Sequence, residues 1–332
     1  MRVALGVALA VAITSLVMVA GCSDSDSPGV TTVAADLGVT PGEGTAITDF
    51  TFTVAGSTTG AGAVEFRWDW DGDGTWDTGW SPDAEVVHRF ADGDTITVMV
   101  EASDGSGSDA DSAEVVVDAR HGHMEDMFTL PAGTSPRDLC SDGSHIWITN
   151  WAIPTYKFDA ATGESLGTIP GNSVWTAGIT WDGDYLWTVG YSDTMRVFEQ
   201  DPATGEVLGS FVVIYSAQAG GLDWHEGVFY YGSYQTGSGG DGRIHRYTGD
   251  GTELSSFPAP RGNVRPEGVV FDGVNAWVAI SGVDSLFAVD PDAGDVLRAI
   301  SVPGRGYGLE IANDHLLVML KGTPRRLVSV VP

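Results

Sequence analysis

Basic residues are scarce: 16 Lys and Arg against 45 Asp and Glu leave a formal charge of −29 over 332 residues. Phosphate backbones are held by clustered Lys and Arg, so nucleic acid is excluded as a partner. The same charge opposes lying on an anionic lipid surface. Cysteine is nearly absent, with Cys22 and Cys140 the two in the chain, and a disulfide framework is excluded. Beyond the first twenty residues no apolar run is long enough to span a bilayer. There is no phosphate-binding glycine loop, no metal cage and no nucleophile beside a recognisable base. What remains is 42% hydrophobic and carries 45 glycines, a balance suited to a turn-rich all-β protein with sizeable cores. The length predicts two or three domains.

The chain is organised around residues 176–211, which divide into four short β-branched and aromatic runs separated by Asp, Gly and Pro turns. Such a sheet cannot bury both faces alone, and it is repeated. Asp142-Gly143, Asp182-Gly183, Glu226-Gly227, Asp272-Gly273 and Asn313-Asp314 recur at intervals of 40 to 46 residues. Each precedes an apolar run such as Leu186-Trp187-Thr188 or Ala276-Trp277-Val278. Further on come Asp159 to Gly163, Asp201 to Gly205, Thr248 to Gly251 and Asp290 to Gly294. This period with strand-turn content predicts a β-propeller, five blades by count and six if one unit has degenerated. The fifth unit stops after three strands, and Met127 to Pro131 is expected to supply the fourth, sealing the ring with both chain ends.

Residues 1–21 carry one basic residue, Arg2, before an apolar run, the pattern of an export signal. Val19-Ala20-Gly21-Cys22 resembles the bacterial lipobox, which implies acylation of Cys22 and anchoring to a lipid bilayer. A buried acyl chain contributes ~0.8 kcal/mol per CH₂. By the same resemblance, Ser23 rather than Asp after the cysteine favours the outer membrane. Residues 22–30 form the anchor and tether. Residues 31–118 alternate with the period of short strands and predict a β-sandwich. Within them, Phe66-Arg67-Trp68-Asp69-Trp70-Asp71-Gly72-Asp73-Gly74, His88-Arg89-Phe90 and the run from Thr95 to Asp104 resemble the PKD domain. That family is immunoglobulin-like, and the resemblance implies a spacer or binding adaptor. Phe90 and Ile96 stand where it has aromatics of its own choice, Tyr at the first. Asp69, Asp71, Asp73 and Asp77 alternate as in the first half of a calcium loop, although Trp80 occupies the place of the bidentate Glu. Calcium is the cofactor these acids could hold; otherwise none is expected.

Residues 119–126 read as a linker, whose His121 and His123 lack further ligands at zinc spacing. Cys140, at the place of Thr180 and Val270 in other units, reads as a small core residue. Residues 127–332 form the propeller. Ile148-Thr149-Asn150 with Tyr156 to Gly163 resembles YVTN and NHL-type repeats, and the same pattern occurs in the five-bladed glutaminyl-peptide cyclotransferase group. These positions are structural and identify architecture, not activity.

In propellers the loops leading into each innermost strand share a face with the loops between second and third strands. In register, those leading positions are Arg137, Ala177, Gly220, Glu267 and Tyr307, with Ser135, Trp175, Gln218, Arg265 and Arg305 two residues earlier. The second loop set offers Trp151, Tyr191 and Tyr234. Arginine forks suit carboxylate or phosphate groups, and aromatic faces suit sugars or peptide side chains. The face is expected to bind a small anionic or glycan-like ligand, or a protein. Alternatively, Glu267 pairs with Arg265 or Arg137 and the aromatics cap the blades. Two functional classes follow: a non-enzymatic lipoprotein of the cell envelope with the propeller as its binding head, or an enzyme of cyclotransferase or lyase type with Glu267 or Glu310 as general base.

Overall fold

The computed structural model describes residues 32–90, 93–118, 121–151, 154–171, 175–190, 196–213, 218–235, 241–262 and 264–332. The export signal, Cys22, the tether and Tyr191 lie outside the described residues. The regular elements among these are all strands.

Seven strands come first: β1 (Val33–Thr40), β2 (Glu43–Gly44), β3 (Phe50–Thr58), β4 (Glu65–Asp69), β5 (Glu85–His88), β6 (Thr95–Ser103) and β7 (Ser108–Val117). They make two sheets, ordered β1-β3-β5 and β2-β7-β6-β4. Strand alternation sends Phe50, Phe52 and Val54 from one sheet against Val98, Val100 and Ala102 from the other. Trp70 stacks between Trp68 and His88, at 5.0 and 4.2 Å, and Phe90 packs edge-on against Phe50. This is the β-sandwich that the alternation predicts, with its strands in the two sheets of an immunoglobulin-like fold.

Strand β8 (Met124–Thr129) leads into the propeller. Blade one is β9 (Pro136–Ser141), β10 (His145–Asn150), β11 (Thr155–Asp159) and β12 (Ser165–Ile169). Blade two is β13 (Thr176–Trp181), β14 (Leu186–Gly190), β15 (Arg196–Gln200) and β16 (Val207–Val212). Blade three is β17 (Gln218–His225), β18 (Val228–Gln235), β19 (Asp241–Thr248) and β20 (Glu253–Pro258). Blade four is β21 (Pro266–Phe271), β22 (Ala276–Ile280), β23 (Ser285–Val289) and β24 (Val296–Ser301). Blade five is β25 (Arg305–Ala312), β26 (His315–Lys321) and β27 (Arg326–Val330), completed by β8. The innermost strands β9, β13, β17, β21 and β25 touch in succession, and β25 returns to β9. The blades number five.

Side chains of neighbouring sheets interlock to keep these seams dry. The closing seam is as apolar as the rest: Leu139, Ile148 and Phe158 of blade one meet Leu317, Met319 and Leu327 of blade five. Each such side chain contributes about 1.5–3 kcal/mol on burial. The closing strand starts three residues before the expected Met127, and the linker is shorter to match. Met124 pairs with Val330 and packs on the blade-five core, whereas Pro131 has no N–H to give a ladder.

The repeated motifs have physical roles. In Asp142-Gly143, Asp182-Gly183 and Asp272-Gly273 the aspartate Oδ1 accepts from the N–H groups two and three residues on. Its Oδ2 accepts from the indole five residues on, Trp147, Trp187 or Trp277. The following glycine takes the left-handed conformation, with φ of 86°, 109° and 89°. One carboxylate thus forms the turn and pins a core tryptophan.

The sandwich is seated on the propeller at the end where the innermost strands finish, called here the lower face. Arg89 bonds Asp49 within the sandwich and reaches Asp272, donating to its carbonyl oxygen at 2.8 Å. Thr48 Oγ1 donates to Asp314 Oδ2 and Thr45 Oγ1 to the Asp314 carbonyl, both at 2.8 Å.

Candidate functional site

The innermost strands begin on the upper face, opposite the sandwich. Arg137 and Glu267, second in β9 and β21, meet there across the axis. Arg137 Nη1 lies 3.5 Å from Glu267 Oε2, and Arg265 donates to Glu267 Oε1. Arg265 also donates to Gln218 Oε1 at 3.3 Å. Glu267 is 6% exposed, so its charge is removed from water only because two guanidiniums flank it. The Arg137 guanidinium lies 3.9 Å from the centre of the Trp151 ring and 5.6 Å from that of Tyr307. Trp151 stacks on Trp175 at 6.0 Å. A backbone bond from Trp151 N–H to the Ser135 carbonyl, 2.8 Å, ties the two loops together.

Beside this cluster is a cleft of about 210 Å³ lined by Ser135, Pro136, Arg137, Trp151, Tyr307, Lys321 and Arg325. Three of these seven carry positive charge and none is acidic. Lys321 Nζ lies 5.3 Å from the centre of the Tyr307 ring. In a chain of formal charge −29, this is a focused positive site.

The structure therefore brings together Arg137, Trp151, Trp175, Arg265, Glu267 and Tyr307. Arg305 opens β25 on the same rim but faces the turn at Gly282, where its Nη2 would lie 4.0 Å from an added Cβ. Tyr234 sits opposite Gln218 at the end of β18, further round the rim. Lys321 and Arg325 were not anticipated. Lys321 ends β26 at the register of Trp151, and a search for aromatics alone passes over it.

Glu310, the other candidate base, is not on this face. Its carboxylate accepts from the N–H groups of Ser141 and Ile311 at the lower end of the axis. With the buried Asp138 and Asp223, the partly buried Glu310 satisfies the inner strand edges, whose N–H groups have no further strand to pair with. Asp223 Oδ2 accepts from Phe271, and Asp138 Oδ2 from both Ile179 and Leu222. Thr180 Oγ1 does the same for Trp224. Burial raises Asp223 to about 7 and Glu310 to about 8, and lifts Asp138 and the thiol of Cys140 well above their ordinary values. Cys140 is fully buried, as a core residue.

At the level of Asp138 the other four strands carry Gly178, Gly221, Gly268 and Gly308. A Cβ on Gly268 would lie 2.4 Å from the Tyr307 carbonyl oxygen, and one on Gly308 2.6 Å from Asp138 Cα. The axis is narrow here because four side chains are missing, and the carboxyl of Asp138 fills what remains.

Ser233, His245 and Glu253 form a hydrogen-bonded series, with Ser233 Oγ and Glu253 Oε1 each 2.8 Å from a His245 ring nitrogen. The order is that of a hydrolase relay. Ser233 and His245 are 2% and 0% exposed, however, and the hydroxyl meets no substrate; the series pins three strands of blade three. His121 and His123 are engaged separately, by the Pro332 carbonyl and by Glu125. In the sandwich turn, Asp69, Asp71 and Asp77 bring one oxygen each within 4.8 Å of one another. Asp73 stands outside that group, accepting from Thr75 N–H at 2.7 Å. Both Asp69 oxygens also accept turn N–H groups, from Gly72 and Gly74.

No family model matches the chain, and no curated protein matches it. Among solved structures, the chain is similar to a glutaminyl cyclase from Myxococcus xanthus. That likeness has 13% identity and a TM-score of 0.50, over 63% of this chain and 97% of that one. It is also similar to the Cps50 (Swd1) β-propeller domain of Myceliophteria thermophila, at 11% identity and a TM-score of 0.41, over 63% and 100%. The fold of the carboxy-terminal part is that of a β-propeller. At such identities the likeness is one of fold and not of chemistry.

Proposed function

We propose that this is a non-enzymatic cell-envelope lipoprotein whose propeller captures a small anionic ligand in the upper cleft. The lipid anchor is Cys22, in the outer membrane, and the PKD-like sandwich is the spacer. The observation that carries the reading is the cleft itself: Arg137, Lys321 and Arg325 line it with Trp151 and Tyr307, and the one acid nearby, Glu267, stands behind Arg137 and not in the lining. Carboxylate, sulfate or phosphate groups suit such donors, and an acidic sugar joins one of them to a ring that the rim aromatics can cover. Because the sandwich docks on the lower face, the cleft points away from the anchored end.

A glutaminyl cyclase-like reaction is the weaker reading. A general base must offer a free lone pair to the substrate, and both oxygens of Glu267 face guanidiniums. Titration calorimetry of the full chain with phosphate, sulfate, glucuronate and glucose tests the proposal. An anion should bind where glucose does not, and Arg137→Ala or Lys321→Ala should weaken it about tenfold or more, the loss of one charge-assisted bond. Glucose binding as well as glucuronate, or unchanged affinity in both variants, would discard the site.

A further inference from the structure

Charge is divided between the two ends of the propeller. The turns after β9, β11, β13, β15, β21 and β23 close its lower end and carry Asp142, Asp159, Asp182, Asp201, Asp272 and Asp290. The upper end carries Arg137, Arg261, Arg265, Arg305, Lys321 and Arg325, each at or beside a strand terminus there. Among the described residues the acids of the upper end are Asp241, Glu267 and Asp284. Glu267 lies between two guanidiniums, and Asp241 stands 3.5 Å from Arg243. A chain of formal charge −29 thus draws anions toward this face.

We propose, resting on the cleft reading above, that the upper face binds an acidic polysaccharide, a chain of uronic acid residues. One sugar occupies the cleft and the next lies in a hollow alongside it.

The hollow has a volume of about 510 Å³, larger than the cleft, and lies between the loop leading into β9 and the loop joining β26 to β27. Arg325 lines both, so the two adjoin. Leu130 N–H donates to the Arg325 carbonyl at 3.0 Å and ties one loop to the other. Pro131, Ala132 and Pro324 give the hollow apolar surface, Thr129 and Thr323 give it hydroxyl groups, and no acid lines it.

Two observations favour a chain over a lone anion. Lys321 and Arg325 have no acidic partner among the described residues, whereas Arg137 shares Glu267 with Arg265. More than one positive charge is therefore open to a ligand. The second is the adjoining hollow, which a ligand filling the cleft alone leaves uncovered. A uronic acid chain offers one carboxylate per ring, so successive sugars meet successive cations. Arg137 and Lys321 flank the Tyr307 ring at 5.6 and 5.3 Å, and Arg325 follows at the border of the hollow. A guanidinium fork takes each carboxylate, and Trp151 and Tyr307 cover the C–H face of the first ring. An acidic polypeptide offers the carboxylates without the rings.

Calorimetry of the full chain with sodium tetragalacturonate, against galacturonate, phosphate, maltotetraose and poly-L-glutamate, tests the assignment. The tetramer should bind about tenfold or more tightly than galacturonate, the gain of one further charge-assisted contact, and maltotetraose should not bind. Arg137→Ala should weaken both uronates about tenfold. Ala132→Glu sets a like charge in the hollow, at an exposed position outside the cleft. It should remove the advantage of the tetramer while galacturonate keeps its affinity. Galacturonate binding without a gain in the tetramer, a gain that persists in Ala132→Glu, or poly-L-glutamate binding as tightly as the tetramer would overturn the polysaccharide and leave the small-anion cleft in place. Phosphate binding without heat from either uronate would do the same. Binding of maltotetraose, or absence of heat with every anion, would overturn both.

Discussion

The buried acids make the stability of this propeller fall as pH rises, and Asp223 is where that effect can be isolated. Its carboxyl is buried, accepts from Phe271 N–H at 2.8 Å, and holds its proton to about 7 against an ordinary 3.8. The unfolded chain releases that proton near pH 4 while the folded chain keeps it. Between those values the unfolded state therefore gains, and stability declines with each unit until the folded group also ionises near 7; above that the loss is constant. Three units at ~1.4 kcal/mol each amount to about 4 kcal/mol. Glu310 acts in the same direction, up to about 8, with a smaller effect because its side chain is only partly buried. Asp223→Asn keeps an oxygen for Phe271 and removes the titration. Its stability should match wild type near pH 4 and exceed it by up to about 4 kcal/mol near pH 8, or on the order of 10 °C in melting temperature for a unit of this size. Urea unfolding followed by tryptophan fluorescence across this range gives the answer. Parallel pH profiles for wild type and variant would refute the reasoning.

Two further outcomes follow from the remaining sites. Calcium at roughly millimolar affinity is expected at Asp69, Asp71 and Asp77, so calcium at ten times that level should raise wild-type stability by about 1.4 kcal/mol and leave Asp71→Asn unmoved; no shift in wild type ends the idea. If Cys22 is acylated, cells fed a labelled fatty acid should label wild type and not Cys22→Ala, and the variant should leave the membrane fraction; equal partitioning of the two would contradict the anchor.

Much of the architecture was legible because its causes are local. A carboxylate that forms a turn and reaches a tryptophan five residues on leaves a fixed spacing, and three of the five blades carry it at Asp142, Asp182 and Asp272. The meeting of Arg137 with Glu267 was readable from register alone, since equivalent positions of inner strands share a level. The basic half of the cleft was not, because the equivalent loop places carry Trp151, Tyr191 and Ser281 in other blades and give no sign of Lys321 in blade five. The collar of Gly178, Gly221, Gly268 and Gly308 escaped notice because a glycine in a strand does not reveal which backbone crowds it. The seating of the sandwich was also invisible: Arg89 and Asp272 stand 183 positions apart, and one ion pair between two units leaves no period. The sequence placed the sandwich before the propeller but not against it; its seating on Asp272 and Asp314 is what the structure adds.

The strand shared between the two ends of the propeller also governs its biogenesis. Asp126 waits for Arg326, 200 positions downstream, so a growing chain has four blades made and the first of them with one flank bare. Ring closure is a late, long-range event of the kind that slows folding. Until β27 is delivered to pair with β8, a chaperone has an apolar seam to guard, and a stop codon ahead of β27 would leave an open arc rather than a slightly shorter ring.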